Sequence, residues 1–287
     1  MPDSAVDLGL LIEDGAERLR RSGAEDGRRE AGRIWSDVAN ASMAQLTLAR
    51  GQTVDGVLAG KFERAIGRRC LGEPLAHVTG VSGFRHLTLV SDNRALIPRP
   101  ETEGLVDLLL QRVDSGRVVD VGTGTGCIAL SLAQEGHFQH VLGIDRSARA
   151  LELARENVAR TSLEVTLVLA DLCEALGDGT VDALVSNPPY LTEAEYGVLD
   201  RSVLDWEPQE ALLGGAEGMD ATMRLLGDGS RVLRPGGWLA LEVDCSRAAI
   251  AGRQASALGW DDVTVYMDLF GRERYLLAKR SNTRDLG

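Results

Sequence analysis

The hydrophobic positions divide the chain into a part with helical spacing and a part in which strands and helices alternate. Up to about residue 72, apolar residues recur every three or four positions and form no convincing strand. Three stripes result: Leu8, Leu11, Ile12 and Leu19; Ile34, Val38 and Ala41; and Val57, Leu58, Phe62, Ala65 and Ile66. Gly23, Gly51 and Gly72 separate the segments. The pattern predicts a small helical domain over residues 1–72.

The pattern changes at Pro74, where an extended stretch is expected to begin. From Val78 to Val90, apolar residues alternate imperfectly with polar ones, and Gly80 and Gly83 offer turn positions. Alternation of this kind is typical of strands joined by a tight turn. We therefore predict a β-hairpin linker over residues 73–98.

From about residue 100, short apolar runs alternate with amphipathic segments. The predicted strands are 117–121, 140–144, 165–169, 183–186, 238–243 and two within 260–280. The predicted helices are 102–112, one that follows Gly126, 147–160 and 219–233. Strands that alternate with helices predict an α/β domain over residues 99–287, with a mainly parallel seven-stranded sheet covered on both faces.

Charge narrows the choice of partner. Acidic residues outnumber basic ones by 43 to 31, so the formal net charge is −12 and the isoelectric point is near 4.9. Contacts to phosphates need Lys and Arg, so direct nucleic-acid binding is not expected. A cluster of N-terminal arginines offers a local basic patch, but interleaved acids favour a solvated helix face. The cluster comprises Arg18, Arg20, Arg21, Arg28, Arg29 and Arg33.

The cysteines and the long-range hydropathy pattern indicate the cellular compartment of the protein. Cys70, Cys127, Cys173 and Cys245 form no CxxC pair and have no histidine at ligand spacing, so we predict buried, reduced residues and no metal. No signal peptide is apparent, and no apolar run approaches the roughly 20 residues of a membrane helix. The expected location is the cytoplasm, with no membrane partner.

A glycine-rich turn, Asp120-Val121-Gly122-Thr123-Gly124-Thr125-Gly126, lies where a predicted strand passes into a helix. Glycine allows close approach of a ligand to the backbone, and ligands of open α/β sheets bind beyond the carboxyl ends of strands. The spacing is G-x-G-x-G, and Cys127 stands where a dinucleotide fingerprint has its third glycine. This difference favours S-adenosyl-L-methionine over a pyrophosphate ligand.

Two acids follow later strands. Asp145 lies 19 positions beyond Gly126 and is placed to accept hydrogen bonds from ribose hydroxyls. Asp171 ends the third predicted strand, where its carboxylate could accept the adenine amine while Leu172 packs on the ring. An ordinary loop acid is an equally good interpretation of Asp171.

The tetrapeptide Asn187-Pro188-Pro189-Tyr190 follows the fourth predicted strand. The prolines stiffen the loop and remove two backbone donors. The Asn187 side-chain oxygen and the Pro188 carbonyl can then accept both hydrogens of a planar NH₂ group, and Tyr190 can stack on its face. These contacts would orient the nitrogen lone pair toward a methyl donor and stabilise positive charge on the nitrogen. The pattern predicts N-methyl transfer.

These motifs resemble those of the HemK/PrmC family of protein-(glutamine-N5) methyltransferases, which modify the Gly-Gly-Gln glutamine of class I peptide chain release factors. Further segments share the resemblance: 72–80 with Phe84, Leu96 to Glu103, Trp206-Glu207-Pro208 with Ala211-Leu212, and Arg234 to Gly237. Together they span about residues 72 to 280. The N-terminal 70 residues match only in length and helical character.

The resemblance implies a class I, Rossmann-like methyltransferase fold, S-adenosyl-L-methionine as cofactor, and an N-terminal domain that helps to dock the release factor. It implies that Asn187, Pro188, Pro189 and Tyr190 hold the glutamine. It also implies a set of residues that line the cofactor: Gly122, Thr123, Gly124, Thr125, Gly126, Asp145, Leu172 and Asn187. Leu172 stands where many relatives carry an aromatic or other residue.

Three alternatives stay open at this point. An adenine-N6 nucleic-acid methyltransferase uses a similar loop on a flipped base, but it should carry a basic region. A glutamine methyltransferase that acts on a ribosomal protein is separated less well by the sequence. A non-catalytic cofactor-binding module is disfavoured by the intact Asn187 and glycine turn.

Overall fold

The computed structural model describes residues 6–49 and 51–282 of the 287-residue chain. The chain forms two compact units. One unit comprises the described residues up to Val81 together with Asp200–Trp206, and the other comprises Ser82–Leu199 together with the described residues from Glu207 onward.

The N-terminal part of the chain is mainly helical. Its elements are β1 (Val6–Asp7), α1 (Leu8–Arg21), α2 (Gly27–Ala39), α3 (Met43–Leu48), β2 (Thr53–Val54), α4 (Gly56–Cys70) and α5 (Leu75–Thr79). Asp7, Asp26, Ser42 and Asp55 cap four of the helices by accepting backbone N–H groups. The helices enclose an apolar core in which Trp35 meets Phe62 edge to face, with ring centroids 5.8 Å apart.

Two local expectations for this region were wrong. β1 pairs antiparallel with β2, whereas the sequence showed no strand before residue 72. A two-residue strand is too short to produce periodicity. Pro74 itself is extended, as expected, but His77 and Val78 donate to its carbonyl at 2.9 and 3.0 Å and begin the helical turn α5. Gly80 ends this turn with φ near +74°.

The N-terminal arginine cluster lies on a solvated surface, as the interleaved acids indicated. Arg18 pairs with Glu63, Arg20 and Arg21 pair with Glu17, and Arg28 pairs with Glu13. Exposed pairs of this kind contribute little to stability. They do neutralise much of the positive charge that a phosphate backbone would need.

The elements after residue 80 alternate between strand and helix. They are β3 (Val81–Phe84), β4 (Leu87–Val90), α6 (Pro100–Leu110), β5 (Ser115–Val121), α7 (Cys127–Glu135), β6 (His137–Asp145), α8 (Ala148–Thr161), β7 (Thr166–Leu169), β8 (Val181–Ser186), α9 (Glu193–Tyr196), α10 (Arg201–Leu204), a 3₁₀ turn (Gln209–Ala211), α11 (Asp220–Val232), β9 (Leu233–Glu242), α12 (Ala248–Ala257), β10 (Asp261–Met267) and β11 (Glu273–Lys279). Each predicted strand and helix of this region is present, with ends shifted by a few residues. The sequence reasoning did not find α12, α9 or α10.

Seven strands form one sheet in the order β10-β11-β9-β8-β5-β6-β7. Every neighbouring pair from β9 to β7 is parallel, and only β11 runs against its neighbours. The prediction of a mainly parallel seven-stranded sheet is confirmed. Strand order reverses between β5 and β8, which opens a crevice for a ligand beyond their carboxyl ends.

Apolar clusters cover both faces of the sheet. On one face, α11 and α12 pack on β9 and β11 through residues such as Leu225, Leu241 and Leu276. On the other face, α6 and α7 pack on β5 and β8 through Leu105, Leu130 and Val185. The β3–β4 hairpin, which confirms the predicted linker hairpin, contributes Phe84 and Leu89 to this second cluster.

A buried asparagine ties the hairpin to the glycine-rich turn. Asn157 of α8 accepts from the Val90 amide at 2.6 Å and donates to the Val90 carbonyl at 3.1 Å. Its amide nitrogen also donates to the Thr125 carbonyl at 2.9 Å. Asn157 is fully buried, so water does not replace these partners if the side chain is removed.

Asn157→Ala is expected to lower the free energy of unfolding by about 2–4 kcal/mol, because it leaves buried backbone groups without partners and opens a cavity. Denaturant unfolding followed by circular dichroism measures this change. The matched control is Glu152→Ala on the exposed face of the same helix. Equal stabilities of the two variants would contradict the role given to Asn157.

Candidate active site

A cavity of about 410 Å³ lies at the carboxyl edge of the parallel strands. Its size falls within the range of small-molecule and cofactor sites. Nine of the twelve predicted site residues line it: Gly122, Thr123, Gly124, Thr125, Asp145, Asp171, Leu172, Asn187 and Pro189. Gly126, Pro188 and Tyr190 lie beside this lining rather than in it.

The glycine-rich turn forms one wall of the cavity. Gly122 and Gly124 have positive φ angles of 72° and 55°, and a β-carbon added at Gly122 would meet nothing within 4 Å. The backbone is therefore open to a ligand at this point. Gly126 has a different role. It caps α7 with φ near 83°, and its α-carbon faces Leu130 and Ala154, so it serves close packing of the helix.

Asp120, the first residue of the motif, is buried and forms hydrogen bonds to the turn and to the first residues of α7. Its Oδ2 accepts from the Thr123 hydroxyl at 2.6 Å and from the Ala129 amide at 3.2 Å. Oδ1 is buried without a hydrogen-bond partner among the described residues. Burial raises the pKa of Asp120 to about 7, since the two hydrogen bonds compensate only in part for lost hydration.

Asp145 ends β6 and lies beside the turn. Its Oδ2 accepts from the Gly124 amide and its Oδ1 from the Ser147 amide, each at 2.9 Å. A carboxylate has about four acceptor sites, so two remain for a ligand. Burial raises the pKa of Asp145, and the backbone donors oppose that rise. The side chain is thus held in the cavity lining by two backbone donors.

Asp171 and Leu172 follow β7 and also line the cavity. Asp171 forms an ion pair with Arg224, with 2.7 Å between Oδ2 and Nη1. Sequence spacing gave no sign of this pair. Leu172 has a positive φ of 46°, an uncommon conformation for a non-glycine residue that marks a constrained wall. Its side chain packs against the core cluster beneath the sheet edge.

The Asn187–Tyr190 loop leaves β8 at the same edge. Its far end is held by Leu191, whose amide donates to Leu212 at 2.9 Å and whose carbonyl accepts from Gly214 at 2.8 Å. A β-carbon at Gly214 would lie 2.4 Å from the Pro189 carbonyl oxygen, so the two segments pack backbone to backbone. The loop is stiffened by its prolines and by this neighbouring strand-like segment.

The Asn187 amide is oriented by a hydroxyl. Its Nδ2 donates to Thr102 Oγ1 at 3.1 Å. Within residues 6–49 and 51–282, no donor reaches Asn187 Oδ1 or the Pro188 carbonyl. These two oxygens of the loop therefore have no hydrogen-bond donor among the described residues.

Tyr190 is half-buried at the end of the loop. Burial raises the pKa of its hydroxyl to about 12, and the nearby Glu242 carboxylate acts in the same direction. The ring is therefore neutral at physiological pH. A neutral phenol suits stacking and does not serve as a base.

Buried Glu207 supports the cavity wall formed by residues 94–99. Its Oε2 accepts from the Ile97 amide at 3.0 Å, and its Oε1 accepts from Arg99 at 2.6 Å. Both segments resemble those of a known family, but the sequence did not predict this contact between them. The sequence contains an Arg-Pro and a Glu-Pro dipeptide, but nothing in their spacing indicates that the arginine and the glutamate are in contact.

The cysteines differ in how far they are exposed, and other potential metal ligands are scattered. No group of three His, Cys, Asp or Glu side chains that could hold a metal occurs among the described residues. All four cysteines are free. The expectation that all are buried was wrong: Cys173 is buried, Cys70 and Cys127 are partly buried, and Cys245 is exposed. Loss of hydration raises the pKa of both Cys127 and Cys173 to about 12. Across the described ranges, no helix has the length and apolarity needed to cross a membrane.

Comparison with known families gives two matches. Residues 101–203 match the methyltransferase small domain, and residues 11–80 match the PrmC N-terminal domain. Named release factor glutamine methyltransferases are similar over almost the whole chain. The protein from Deinococcus radiodurans is 36% identical, covering 96% of this chain and 99% of its own length. The one from Nitratidesulfovibrio vulgaris is 34% identical, covering 97% of each.

Solved structures confirm the fold. A methyltransferase from Pyrococcus furiosus superposes with a TM-score of 0.53 at 21% identity, covering 69% of this chain and 91% of its own. The Thermus thermophilus 16S rRNA N2 G1207 methyltransferase gives 0.50 at 18% identity, covering 70% of this chain and 49% of its own. The class I methyltransferase fold expected from the sequence is therefore present.

Asp120→Asn is expected to change how stability depends on pH. Because folding raises the pKa of Asp120, its contribution to stability is full below about pH 4 and is lost as pH rises through about 7. Asparagine cannot ionise. Relative to wild type, the variant should gain roughly 2–4 kcal/mol of unfolding free energy between about pH 5 and pH 8.

Urea unfolding of both proteins across this pH range makes the measurement. Asp261→Asn, at an exposed position, is the control and should follow the wild-type profile. A constant difference between Asp120→Asn and wild type at every pH would show that Asp120 does not take up a proton in this range.

Proposed function

The chain belongs to the release factor glutamine methyltransferase family, and from this membership we propose that it methylates the Gly-Gly-Gln glutamine of class I peptide chain release factors on its side-chain nitrogen, N5. The chain is an S-adenosylmethionine-dependent methyltransferase. Its proposed protein substrate is a release factor, and its proposed small-molecule substrate is S-adenosyl-L-methionine.

One observation carries the proposal. Asn187 Oδ1 and the Pro188 carbonyl, adjacent in a stiff loop, have no donor among the described residues. Two acceptors side by side match the two hydrogens of one primary amide. A hydroxyl or a thiol offers a single hydrogen and would leave one acceptor unsatisfied.

The arrangement addresses the main difficulty of the reaction. The lone pair of an amide nitrogen is delocalised, so the nitrogen is a poor nucleophile. By accepting both N–H hydrogens, Asn187 and Pro188 would hold the amide at one angle and stabilise positive charge as it develops. Tyr190 would cover one face of the amide, with its hydroxyl protonated throughout.

The cavity residues fit the cofactor. The space beside Gly122 would admit the amino-acid portion, and the remaining acceptor sites of Asp145 would suit the ribose hydroxyls. Leu172 lines the wall proposed for adenine, and Asp171 would accept its amine through the oxygen that is not paired with Arg224. When bound, S-adenosyl-L-methionine supplies an electrophilic methyl group. Thr123, Thr125 and Gly126 complete the turn that holds it.

A protein substrate is favoured over nucleic acid. The net charge is −12, and the described N-terminal arginines Arg18, Arg20, Arg21 and Arg28 are paired with acids. An enzyme that extrudes a base needs phosphate contacts to hold the duplex. The PrmC N-terminal domain match at residues 11–80 supports a role for the helical unit in docking the release factor.

Mass spectrometry of the product tests the assignment. The enzyme and labelled S-adenosyl-L-methionine are incubated in four separate reactions. The substrates added are a class I release factor, the same factor with alanine in place of the Gly-Gly-Gln glutamine, a ribosomal protein and duplex DNA. One methyl group should appear on the glutamine peptide of the intact factor alone. Transfer to DNA or to ribosomal protein, with none to the release factor, would overturn the proposal.

Asn187→Ala is expected to lower kcat by at least about 10²–10³-fold, because it removes one of two acceptors that stabilise the transition state. Binding of S-adenosyl-L-homocysteine, measured by calorimetry, should be largely retained. Asn93→Ala, at an exposed position, is the control. Full activity of Asn187→Ala would remove the tetrapeptide from the mechanism.

A further inference from the structure

A buried hydroxyl connects the Asn187 amide to a buried carboxylate. Thr102 Oγ1 donates to Glu242 Oε2 at 2.8 Å and accepts from Asn187 Nδ2 at 3.1 Å. Thr102 is 2% exposed and Glu242 is 1% exposed. The three side chains come from the first turn of α6, the last residue of β9 and the loop after β8.

The direction of this chain of hydrogen bonds decides which atom of Asn187 faces the cavity. A hydroxyl has one hydrogen, and an ionised carboxylate only accepts. With Glu242 ionised, the Thr102 hydrogen must point to Glu242, so Thr102 can only accept from Asn187. The nitrogen of the amide therefore turns toward Thr102, and its oxygen is left for the substrate.

A proton on Glu242 removes this constraint. The protonated carboxyl can donate to Thr102, whose own hydrogen then points to Asn187. The Asn187 amide would rotate to accept through Oδ1 and would present Nδ2 to the cavity. The Nδ2 hydrogens of Asn187 would then face the N–H hydrogens of the substrate amide. The substrate nitrogen would lose one of its two hydrogen-bond acceptors.

We propose that Glu242 is a positioning residue that acts through Thr102 to fix the orientation of the Asn187 amide, and that methyl transfer requires the ionised form of Glu242. The inference rests on the proposed function, in which Asn187 accepts from the glutamine amide. It assigns a role to a carboxylate that touches neither the cavity nor the reacting atoms.

The surroundings of Glu242 allow both protonation states. Burial raises its pKa to about 7, and the Thr102 hydrogen bond is the largest effect that opposes the rise. Arg274 Nη1 lies 3.7 Å from Oε1 and favours the ionised form, as does Arg99. The other titratable groups around it are Glu101 in the first turn of α6, Tyr190, Tyr275 of β11 and Cys127 of α7. Glu101 opposes ionisation, while the phenols and the thiol stay neutral near pH 7.

A pair of Thr102 variants tests the hydroxyl. Thr102→Val keeps the shape but cannot accept from Asn187, and it should lower kcat by about 10- to 100-fold, the loss expected from one misdirected buried hydrogen bond. Thr102→Ser restores the hydroxyl and should recover most of kcat. The KM for release factor and the affinity for S-adenosyl-L-homocysteine should change much less than kcat.

The pH profile tests the carboxylate. For wild type, kcat at saturating substrates should rise with pH near neutrality, because the ionised form of Glu242 is the active one. Glu242→Gln is uncharged and does not enforce one orientation, so its kcat should be lower and should lack that rise. Thermal melting and cofactor binding establish that each variant is folded, and Glu242→Gln tests the proposal even if Thr102→Val is unstable.

The results separate this inference from the proposed function. If wild type does not methylate a release factor, the proposed function fails. If wild type methylates it and Asn187→Ala is inactive, the function stands. In that case, full kcat in Thr102→Val, or an unchanged pH rise in Glu242→Gln, would overturn the positioning role of Glu242.

Discussion

The parallel pairing of β5 with β8 is the constraint on which the site depends. Val121 lies opposite Ser186 in the register, and the Ser186 hydroxyl donates to the Val121 carbonyl at 2.6 Å. Both strands therefore end at one level, where the order of the sheet reverses. The glycine-rich turn continues from β5 and the Asn187 loop from β8, so the two segments proposed to carry the chemistry start from adjacent positions. A shift of this register would separate them.

Buried and partly buried carboxylates are concentrated at this edge. Asp120 lies under the turn, Asp145 ends β6 and Glu242 ends β9. Burial raises the pKa of each, which means that their ionised forms reduce the stability of the fold. Each is held by hydrogen bonds that also fix a neighbouring element: Thr123, the Gly124 amide and Thr102. The carboxylates therefore lower the stability of the fold while their hydrogen bonds fix the geometry of the site.

The sequence predicted those parts of the fold that depend on local pattern. Buried strands, the glycine turn and the proline-rich loop each have a signature within a few residues, and the order of strands and helices implied a parallel sheet. It did not predict α5, because a proline that favours extension at Pro74 also allows a helical turn to begin after it. Nor did it predict α12, whose short alanine-rich sequence has weak amphipathic character.

The contacts that sequence reasoning missed connect distant positions. Thr102 and Glu242 are 140 residues apart, and Asp171 and Arg224 are 53 apart. A single glutamate in an apolar strand and a threonine in a first helical turn have no spacing that links them. Only the register of β9 beside β8, with Ser186 opposite Leu241, brings Glu242 level with the Asn187 loop. Local pattern thus predicted the proposed acceptors of the site but not the side chains that lie beside them.

The central claim is that Asn187 Oδ1 and the Pro188 carbonyl together hold one primary amide. A crystal structure of the enzyme with S-adenosyl-L-homocysteine and a glutamine-containing peptide from the release factor loop tests it most directly. The glutamine nitrogen is expected at about 3 Å from both oxygens, with Asn187 Nδ2 still directed to Thr102. A glutamine amide bound away from these two acceptors, or an Asn187 amide that presents its nitrogen to the substrate, would contradict it.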